Sequence, residues 1–244
     1  MAHIIVTGST GLAGSAILAE CLASPAIAKV SILSRRPVDF ARANPKAQVI
    51  IHSDYSSYPP STLDQIRGAT GCIWAQGKSS IGMQTDEYTT LTRDWPLAAA
   101  KAMADLPEQG EKFKFVYISG EGADPTEKSS QMFGRVKGRA EKNLLAAATA
   151  KPALSVYNLR PGAIDPMGDD PRNKPFSIMG DLPVRVLGPV LRLVYPSMHT
   201  PTKSLAEVSV RLAVGDGQPL VEGRGIEAEG WTLRNTAIRR FAGL

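Results

Sequence analysis

Three glycines near the start of the chain have a spacing that is typical of a phosphate-binding turn. The apolar run His3–Thr7 leads directly into Gly8, Gly11 and Gly14. Glycine lacks a Cβ atom, so a phosphate can approach the backbone closely, and the following helix directs unpaired N–H groups and a positive dipole end at it. The spacing therefore predicts a bound pyrophosphate, with an ordinary tight turn as the alternative. Further contacts with the bound cofactor are expected from Thr7, Thr10 and Leu12.

A basic pair follows the second predicted strand, Lys29–Leu33, in the form of Arg35 and Arg36. In dinucleotide-binding folds the end of this strand lies beside the adenosine ribose. An acidic residue there accepts from a 2′-hydroxyl, whereas a basic residue accommodates a 2′-phosphate. The pair therefore favours NADP(H) over NAD(H) as cofactor. The alternative is two solvated arginines on a surface loop.

Two later loops are expected to line the same crevice, because ligands of such folds bind at the carboxyl ends of the parallel strands. Asp54 follows the third predicted strand, where it either meets the adenine or caps a turn. Gly77 lies in the polar loop after the fourth strand and should pass along the cofactor.

The elements that must position these residues alternate along the chain as strands and helices, which predicts an α/β fold of the Rossmann type with a doubly wound parallel sheet. Helices are expected over Leu12–Leu22, Ser61–Arg67 and Lys203–Val214, and another contains Phe133. A helix around Pro96 either begins near Asp94 or is kinked there. The predicted strands after the second are Gln48–Ile51, Cys72–Ala75, Lys114–Ile118 and Leu154–Leu159.

The length of 244 residues and a hydrophobic content of 43% fit one domain of this class. We expect residues 1–165 to form the dinucleotide-binding core and residues 166–244 to form a substrate-covering lid and C-terminal helices of the same domain. Within the latter, the apolar tract Leu182–Val194 either covers a small hydrophobic substrate or forms a homodimer face. It is too interrupted to span a membrane, and without a recognisable leader the chain is expected to be cytoplasmic.

Charge and cysteine content exclude some classes of function. The net charge of +5 is a modest excess of 28 basic over 23 acidic residues, and it does not indicate a nucleic-acid partner. Cys21 and Cys72 lie among apolar neighbours, so we expect reduced core thiols. The three histidines are scattered, and no metal site is predicted.

Four motifs follow one another along the chain: Thr7–Gly14, Ser119–Asp124, Val136–Glu141 and Leu159–Gly162. In this order they resemble the motifs of the atypical and extended short-chain dehydrogenase/reductase superfamily, in the TIP30-like subgroup with its fungal NAD(P)-binding oxidoreductase-like relatives. The resemblance implies carbonyl reduction with a nicotinamide cofactor. It also implies a serine after the fifth strand, and a tyrosine and a lysine spaced Tyr-x-x-x-Lys on the next helix.

The match to the catalytic residues of the family is incomplete at one position. Ser119 matches the serine and Lys137 the lysine, but Phe133 stands where the family has its tyrosine. Phenylalanine cannot protonate a developing alkoxide, a step that typically contributes about 10²- to 10⁴-fold in rate. Phe133 is a core residue, an apolar wall beside the nicotinamide or an introduced substitution. Replacement acids near the crevice are Glu121, Asp124, Tyr88 and Tyr117, with Tyr117 the weakest.

The remaining matched residues have roles that need no tyrosine. The resemblance implies that Lys137 either holds the cofactor ribose or takes part in catalysis, and that Pro161 and Gly162 lie by the nicotinamide carboxamide. For this Pro-Gly segment the alternative is an ordinary turn, with Arg160 as a buried structural cation. Ser119 either hydrogen-bonds a substrate oxygen or caps a turn.

These observations predict an NADP(H)-dependent oxidoreductase acting on a small hydrophobic carbonyl or activated alkene. Two alternatives remain open because a fold alone does not decide a reaction. One is a non-redox isomerase, cyclase or lyase on the same scaffold. The other is a redox-silent regulatory protein that senses the dinucleotide.

Overall fold

The computed structural model describes residues 1–107, 110–165 and 198–244. They form an α/β fold built on an eight-stranded sheet, in which every neighbouring pair of strands is parallel except the last. The predicted fold class, a Rossmann-type doubly wound parallel sheet, is confirmed. The predicted lid Leu182–Val194 lies outside the described residues.

The strands of the main sheet lie in the order β3-β2-β1-β4-β5-β6-β10-β9, and a separate parallel pair is formed by β7 and β8. The strands are β1 Ala2–Thr7, β2 Ile27–Ser34, β3 Ala47–Ile51, β4 Gly71–Trp74, β5 Phe113–Ile118, β6 Leu154–Arg160, β7 Ala163–Asp165, β8 His199–Pro201, β9 Ile226–Glu227 and β10 Thr232–Arg234. The chain order reverses at β1, with β2 on one side and β4 on the other, which opens a crevice at the carboxyl ends of the strands.

The helices pack on both faces of this sheet. They are α1 Leu12–Ala23, α2 Pro60–Gln65, α3 Thr85–Thr89, α4 Trp95–Met103, α5 Met132–Ala150, α6 Thr202–Val214 and α7 Asn235–Phe241. Of the two alternatives considered for the helix around Pro96, the structure has the first, because α4 begins at Trp95, directly after Asp94, and Pro96 lies in its first turn, where proline is tolerated. A π-helical turn, Thr90–Asp94, joins α3 to α4.

Two hydrophobic clusters cover the two faces of the sheet. Ile4 and Val6 of β1 pack with α1 and α6 in one cluster, while Ile5 packs with α4 and α5 in the other. Successive side chains of a strand point to opposite faces, so a strand covered on both sides needs apolar residues at nearly every position. This explains the continuous apolar runs of β1, β4 and β5 in the sequence.

The cysteine prediction is confirmed, because Cys21 and Cys72 are buried and unpaired. Within the described ranges, no group of three or more potential ligand side chains is arranged to hold a metal ion. No described helix has the length and apolarity required to cross a membrane.

Candidate dinucleotide and substrate site

The glycine turn between β1 and α1 is closely packed against its neighbours. Gly8 has φ +69°, and a Cβ atom there would lie 2.4 Å from the carbonyl oxygen of Ala75. A Cβ on Gly14 would lie 2.1 Å from the Gly8 oxygen, and the Gly11 N–H donates to that same oxygen at 2.8 Å. Side chains at Gly8 and Gly14 would therefore separate the turn from β4 and α1.

The turn also has hydroxyl groups that match a phosphate ligand. Among the described residues, Thr7 Oγ1 and Ser9 Oγ are buried and have no hydrogen-bond partner. A buried polar group without a partner costs about 1–3 kcal/mol, and a phosphate oxygen would accept from such a hydroxyl. The residues present therefore fit a pyrophosphate group. Thr10 and Leu12 flank Gly11 at the start of α1, where helix N–H groups are unpaired.

A cavity of about 460 Å³ extends from the glycine turn to the end of β2. Arg35 and Arg36 line it, both exposed, and neither forms an ion pair with another described residue. Gln76 and Gly77 line the opposite side, after β4. The predicted glycine turn, basic pair and Gly77 loop are thus brought together around one cavity.

Asp54 has the second of its two expected roles. Its carboxylate accepts from the Ser56 backbone N–H at 3.0 Å and from the hydroxyls of Ser56 and Ser57 at 2.5 and 2.8 Å. These hydrogen bonds hold the pKa of Asp54 below its usual value. Asp54 caps a turn and is absent from the cavity wall, where Tyr55 lies and donates to the Leu33 oxygen at 3.1 Å.

A second, larger cavity of about 760 Å³ lies at the carboxyl ends of β5 and β6. It brings together four residues that the motifs singled out: Ser119, Phe133, Pro161 and Gly162. The rest of the wall comes largely from the C-terminal part of the chain, and its members are Gly120, Glu121, Ala163, Ile164, Met198, His199, Arg234, Asn235 and Thr236.

Ser119 is fixed from several sides. Its N–H donates to the Leu159 oxygen at 2.7 Å, and its carbonyl accepts from Lys137 Nζ at 3.2 Å. Its hydroxyl donates to Glu141 Oε1 at 2.5 Å. The hydroxyl therefore does not cap a turn, and it lies between a buried carboxylate and the cavity.

The carboxylate of Glu141 is almost fully buried, with 1% of the residue exposed, and its charge is compensated by Arg160. Arg160 Nε lies 2.9 and 3.1 Å from the two carboxylate oxygens, and Nη2 lies 2.5 Å from Oε2. Arg160 Nη1 also donates to Glu227 at 2.8 Å. Arg160 is thus the buried structural cation considered from the sequence, whereas the Ser119 partnership of Glu141 was missed. Glu141 lies four residues after Lys137, so helical spacing could have indicated a shared face.

Lys137 lies part-buried on α5, behind Ser119. Its Nζ donates to the oxygens of Ile118 and Ser119 at 2.9 and 3.2 Å and lies 5.1 Å from the centre of the Tyr117 ring. Burial lowers the pKa of Lys137 to about 8, against the opposing effect of the Glu141 charge. Lys137 is not among the residues lining either cavity, and its ribose role stays a prediction.

Phe133 forms part of the wall of the larger cavity. Its Cζ atom, the position at which tyrosine carries its hydroxyl, would lie 2.9 Å from a Cβ atom on Gly120, next to Ser119. The ring is only part-buried. Of the interpretations weighed from the sequence, this placement fits an apolar wall better than a core residue.

Of the four candidate acids, Glu121 alone lines the larger cavity, and it is engaged by Arg234 at 3.1 Å and by the Asn235 N–H at 2.8 Å. Asp124 caps a turn through Thr126 and Ser129. Tyr88 and Tyr117 are buried, and Tyr117 donates to the Thr92 oxygen at 2.9 Å.

His199 is a cavity residue that sequence reasoning missed. It lies on the three-residue strand β8, paired with β7. A strand this short leaves no periodic pattern in the sequence, so no signal could have placed this histidine in the cavity that Ser119 also lines.

Sequence comparison finds relatives over nearly the whole chain, although no family model matches. The leucinostatins biosynthesis cluster protein T of Purpureocillium lilacinum is 33% identical over 261 residues, covering 98% of this chain and 94% of that protein. The mitochondrial protein fmp52 of Aspergillus clavatus is 28% identical over 250 residues, covering 100% of this chain and 99% of that protein.

The second relative corrects one expectation from the sequence. The chain was expected to be cytoplasmic, but relatives aligned along its full length, from Aspergillus clavatus and Aspergillus fumigatus, are named mitochondrial. The prediction of a cytoplasmic location is therefore wrong. Its physical basis was weak, because hydrophobic content decides how a chain folds, whereas cellular addresses are read by receptors.

Solved structures share the fold at low sequence identity. A short-chain dehydrogenase family protein from Francisella tularensis superimposes with a TM-score of 0.65 at 16% identity, covering 96% of each chain. BdcA in complex with NADPH superimposes with a TM-score of 0.61 at 14% identity, covering 88% of each chain. The solved structures show that the chain has the fold of short-chain dehydrogenases/reductases, and the full-length relative in Purpureocillium shows that it belongs to the family of the leucinostatins biosynthesis cluster protein T.

Proposed function

We propose that this protein is an NADP(H)-dependent oxidoreductase acting on a small hydrophobic carbonyl or activated alkene. The observation that carries the proposal is the smaller cavity, in which the glycine turn faces the same space as two arginines that form no ion pair with the described residues. A pyrophosphate on the turn and a 2′-phosphate on Arg35 and Arg36 would each meet the charge and the donors that they need.

The cofactor supplies or accepts a hydride when bound, and the residues of the chain bind and orient the reactants. Gly8, Gly11 and Gly14 admit the pyrophosphate, while Thr7 and Ser9 donate to it. Further cofactor contacts are proposed for Thr10, Leu12, Gly77, Lys137, Pro161 and Gly162. The solved structure of BdcA with NADPH supports a nicotinamide cofactor on this fold.

The larger cavity supports a hydrophobic substrate. The surface of its wall is mostly apolar, with Phe133, Pro161 and Ile164 among its members. Six of its thirteen residues have polar side chains: Ser119, Glu121, His199, Arg234, Asn235 and Thr236. Such a pocket gains affinity from apolar area removed from water, while a small number of polar groups fix the orientation of the ligand. Ser119 is the polar group placed to orient a substrate oxygen.

Titration of the purified protein with NADPH and with NADH, followed by nicotinamide fluorescence, tests the proposal without knowledge of the substrate. Tight binding of NADPH with much weaker binding of NADH is expected. Failure to bind either dinucleotide would overturn the proposal and favour a cofactor-free activity. Equal affinity for both would overturn the assignment of the arginines.

Phe133 specifically favours a second candidate, a non-redox isomerase, cyclase or lyase on the same scaffold. Loss of the tyrosine removes the proton donor that carbonyl reduction uses, and a reaction that needs no such donor tolerates phenylalanine. Conversion of a substrate with no net change in NADPH absorbance would identify this alternative. Stoichiometric consumption of NADPH would exclude it.

A further inference from the structure

The hydrogen-bond polarity of Ser119 restricts what its hydroxyl offers to a ligand. A serine hydroxyl has one proton and two acceptor lone pairs. That proton is donated to Glu141 Oε1 at 2.5 Å, and Ser119 itself is 6% exposed and lines the larger cavity. What remains for the cavity is an acceptor.

The direction of this hydrogen bond is fixed by the surroundings of Glu141. Arg160 Nε donates to Oε1 at 2.9 Å, so the carboxylate oxygen that accepts from Ser119 also accepts from a cation. The other oxygen accepts from Arg160 Nη2 and, at 3.1 Å, from Nε. A guanidinium has hydrogen-bond donors only, so a proton on either oxygen of Glu141 would point at another donor. Both oxygens of Glu141 therefore accept, and the Ser119 hydroxyl must donate.

Ser119 has little freedom to turn away from this partner. Its N–H and carbonyl are both engaged, by Leu159 and by Lys137, and in the described part of the chain the buried carboxylate of Glu141 accepts hydrogen bonds from Ser119 and Arg160 alone. Releasing the hydroxyl to a substrate carbonyl would leave a buried carboxylate lone pair without its donor, which is costly in a low-dielectric interior.

We propose that Ser119, oriented by Glu141, makes the larger cavity selective for the hydroxyl form of a small apolar substrate, an alcohol or enol, over the matching carbonyl form. Ser119 is the residue that contacts the ligand, and Glu141 is a positioning residue that acts through it. The inference rests on the proposed function only in taking this cavity as the substrate site.

A matched pair of probes tests the preference. Dissociation constants of 4-tert-butylcyclohexanol and 4-tert-butylcyclohexanone, two ligands with one carbon skeleton, are measured by calorimetry for the wild type and Ser119→Ala. A single neutral hydrogen bond corresponds to roughly a threefold to tenfold change in affinity. The ratio of ketone to alcohol dissociation constants should fall by about this factor in Ser119→Ala. Ser61→Ala, an exposed serine on α2, is the control.

The Glu141→Gln variant tests whether Glu141 sets the direction of the Ser119 hydrogen bond. The measured quantity is the preference between alcohol and ketone, which would not reverse if Glu141 only supported the fold. The amide oxygen is expected at the Oε2 position, where it accepts from both Nη2 and Nε of Arg160. The amide nitrogen then takes the Oε1 position, where it loses the hydrogen bond from Arg160 Nε and donates to Ser119. The serine proton is then free for the cavity, and the preference should reverse toward the ketone. Circular dichroism checks that the variant is folded, and if it is not, the Ser119→Ala comparison decides alone.

The outcomes separate this inference from the proposed function. An unchanged ratio in Ser119→Ala, or a ketone preference that depends on Ser119, would overturn the inference. NADPH binding together with either result would leave the proposed function standing. A preference for the alcohol that depends on Ser119, in a protein that binds neither dinucleotide, would support the inference and overturn the proposed function.

Discussion

Arg35 and Arg36 are the residues that separate NADPH from NADH in the proposed site. They are exposed and free of ion pairs with the rest of the described chain, so binding a phosphate breaks no existing contact. Replacing either by alanine should weaken NADPH binding by about tenfold, since a charge-assisted hydrogen bond contributes roughly 1.5–3 kcal/mol and exposed groups lie at the low end. NADH binding should be unchanged in the same fluorescence titration.

Arg42→Ala is the matched control for this prediction. Arg42 is also exposed and lies a few residues further along, but it does not line the cavity. It should bind NADPH as the wild type does. An equal loss in all three variants would show a general effect of net charge and would remove the specific role of Arg35 and Arg36.

Phe133→Tyr tests whether the family's tyrosine position still matters for the reaction. The Cζ atom lies beside Gly120, so an added hydroxyl would be delivered next to Ser119. General acid catalysis contributes about 10²- to 10⁴-fold, and even a poorly aligned phenol should raise ketone reduction by at least about tenfold. NADPH consumption with a panel of small apolar ketones measures this. An unchanged rate for every accepted substrate would show that the position takes no part in the chemistry.

At this scale the sequence was informative wherever a residue acts through its own type and spacing. Every one of these residues lines a cavity or lies in the first turn of α1: the three glycines, the arginine pair, Ser119 and Phe133. Partnerships between distant residues were harder to predict. The roles of Glu141 and His199 depend on which strands and helices meet, and that is decided by tertiary packing.

At the scale of elements, Gly14 sets how closely α1 approaches the phosphate-binding turn. Alanine is normally the better helix former by about 1 kcal/mol, but a Cβ here would lie 2.1 Å from the Gly8 oxygen. Gly14→Ala should therefore lower the free energy of unfolding by about 1–3 kcal/mol, as overpacking does, and should weaken NADPH binding. Urea unfolding without cofactor measures the change in the free energy of unfolding, and the fluorescence titration measures the change in NADPH affinity.

Gly77→Ala is the control for Gly14→Ala. Gly77 belongs to the same cavity wall, but no atom lies within 4 Å of the position that its Cβ would occupy. Its free energy of unfolding should stay within about 0.5 kcal/mol of the wild-type value. A Gly14→Ala variant as stable as this control would mean that α1 can shift without cost.

The elements that the sequence predicted well are the long ones with a clear apolar pattern. β1 to β6, α1 and α5 carry near-continuous apolar runs or helical stripes. The bounds of β1 to β6 and α1 were predicted to within a few residues, and α5 is the helix that was predicted to contain Phe133. The elements that were missed are β7 to β10, each two or three residues long. Strands of this length are held by their partners, β10 by β6 and β8 by β7, and a local pattern does not encode such pairing.

At the scale of the whole molecule, the site joins distant parts of the chain. The smaller cavity is built from residues 8–77, whereas the larger one combines residues 119–164 with residues 198–236. Arg160 of β6 links α5 to β9 through Glu141 and Glu227, and so ties Ser119 to the C-terminal strands. Changes near the candidate substrate site should therefore be measurable in global stability.

The shifted pKa of Lys137 should make the free energy of unfolding depend on pH. Its folded-state value of about 8 lies below the usual 10.5, so between these values the unfolded chain binds more protons than the folded one. Stability then rises with pH across this window. Relative to Lys137→Met, the wild type should gain up to about 3 kcal/mol in free energy of unfolding between pH 8 and pH 10.5.

Urea unfolding of both proteins across this window isolates the contribution of Lys137, because every other titrating group is common to both and cancels in the difference. Lys142→Met, which removes an exposed lysine from the same helix, is the matched control. A difference between wild type and Lys137→Met that stays constant with pH would show that the folded protein does not depress the lysine pKa. The effect of burial on the ammonium behind Ser119 would then be fully offset by the Glu141 charge, and Lys137 would offer the cofactor a full charge at every physiological pH.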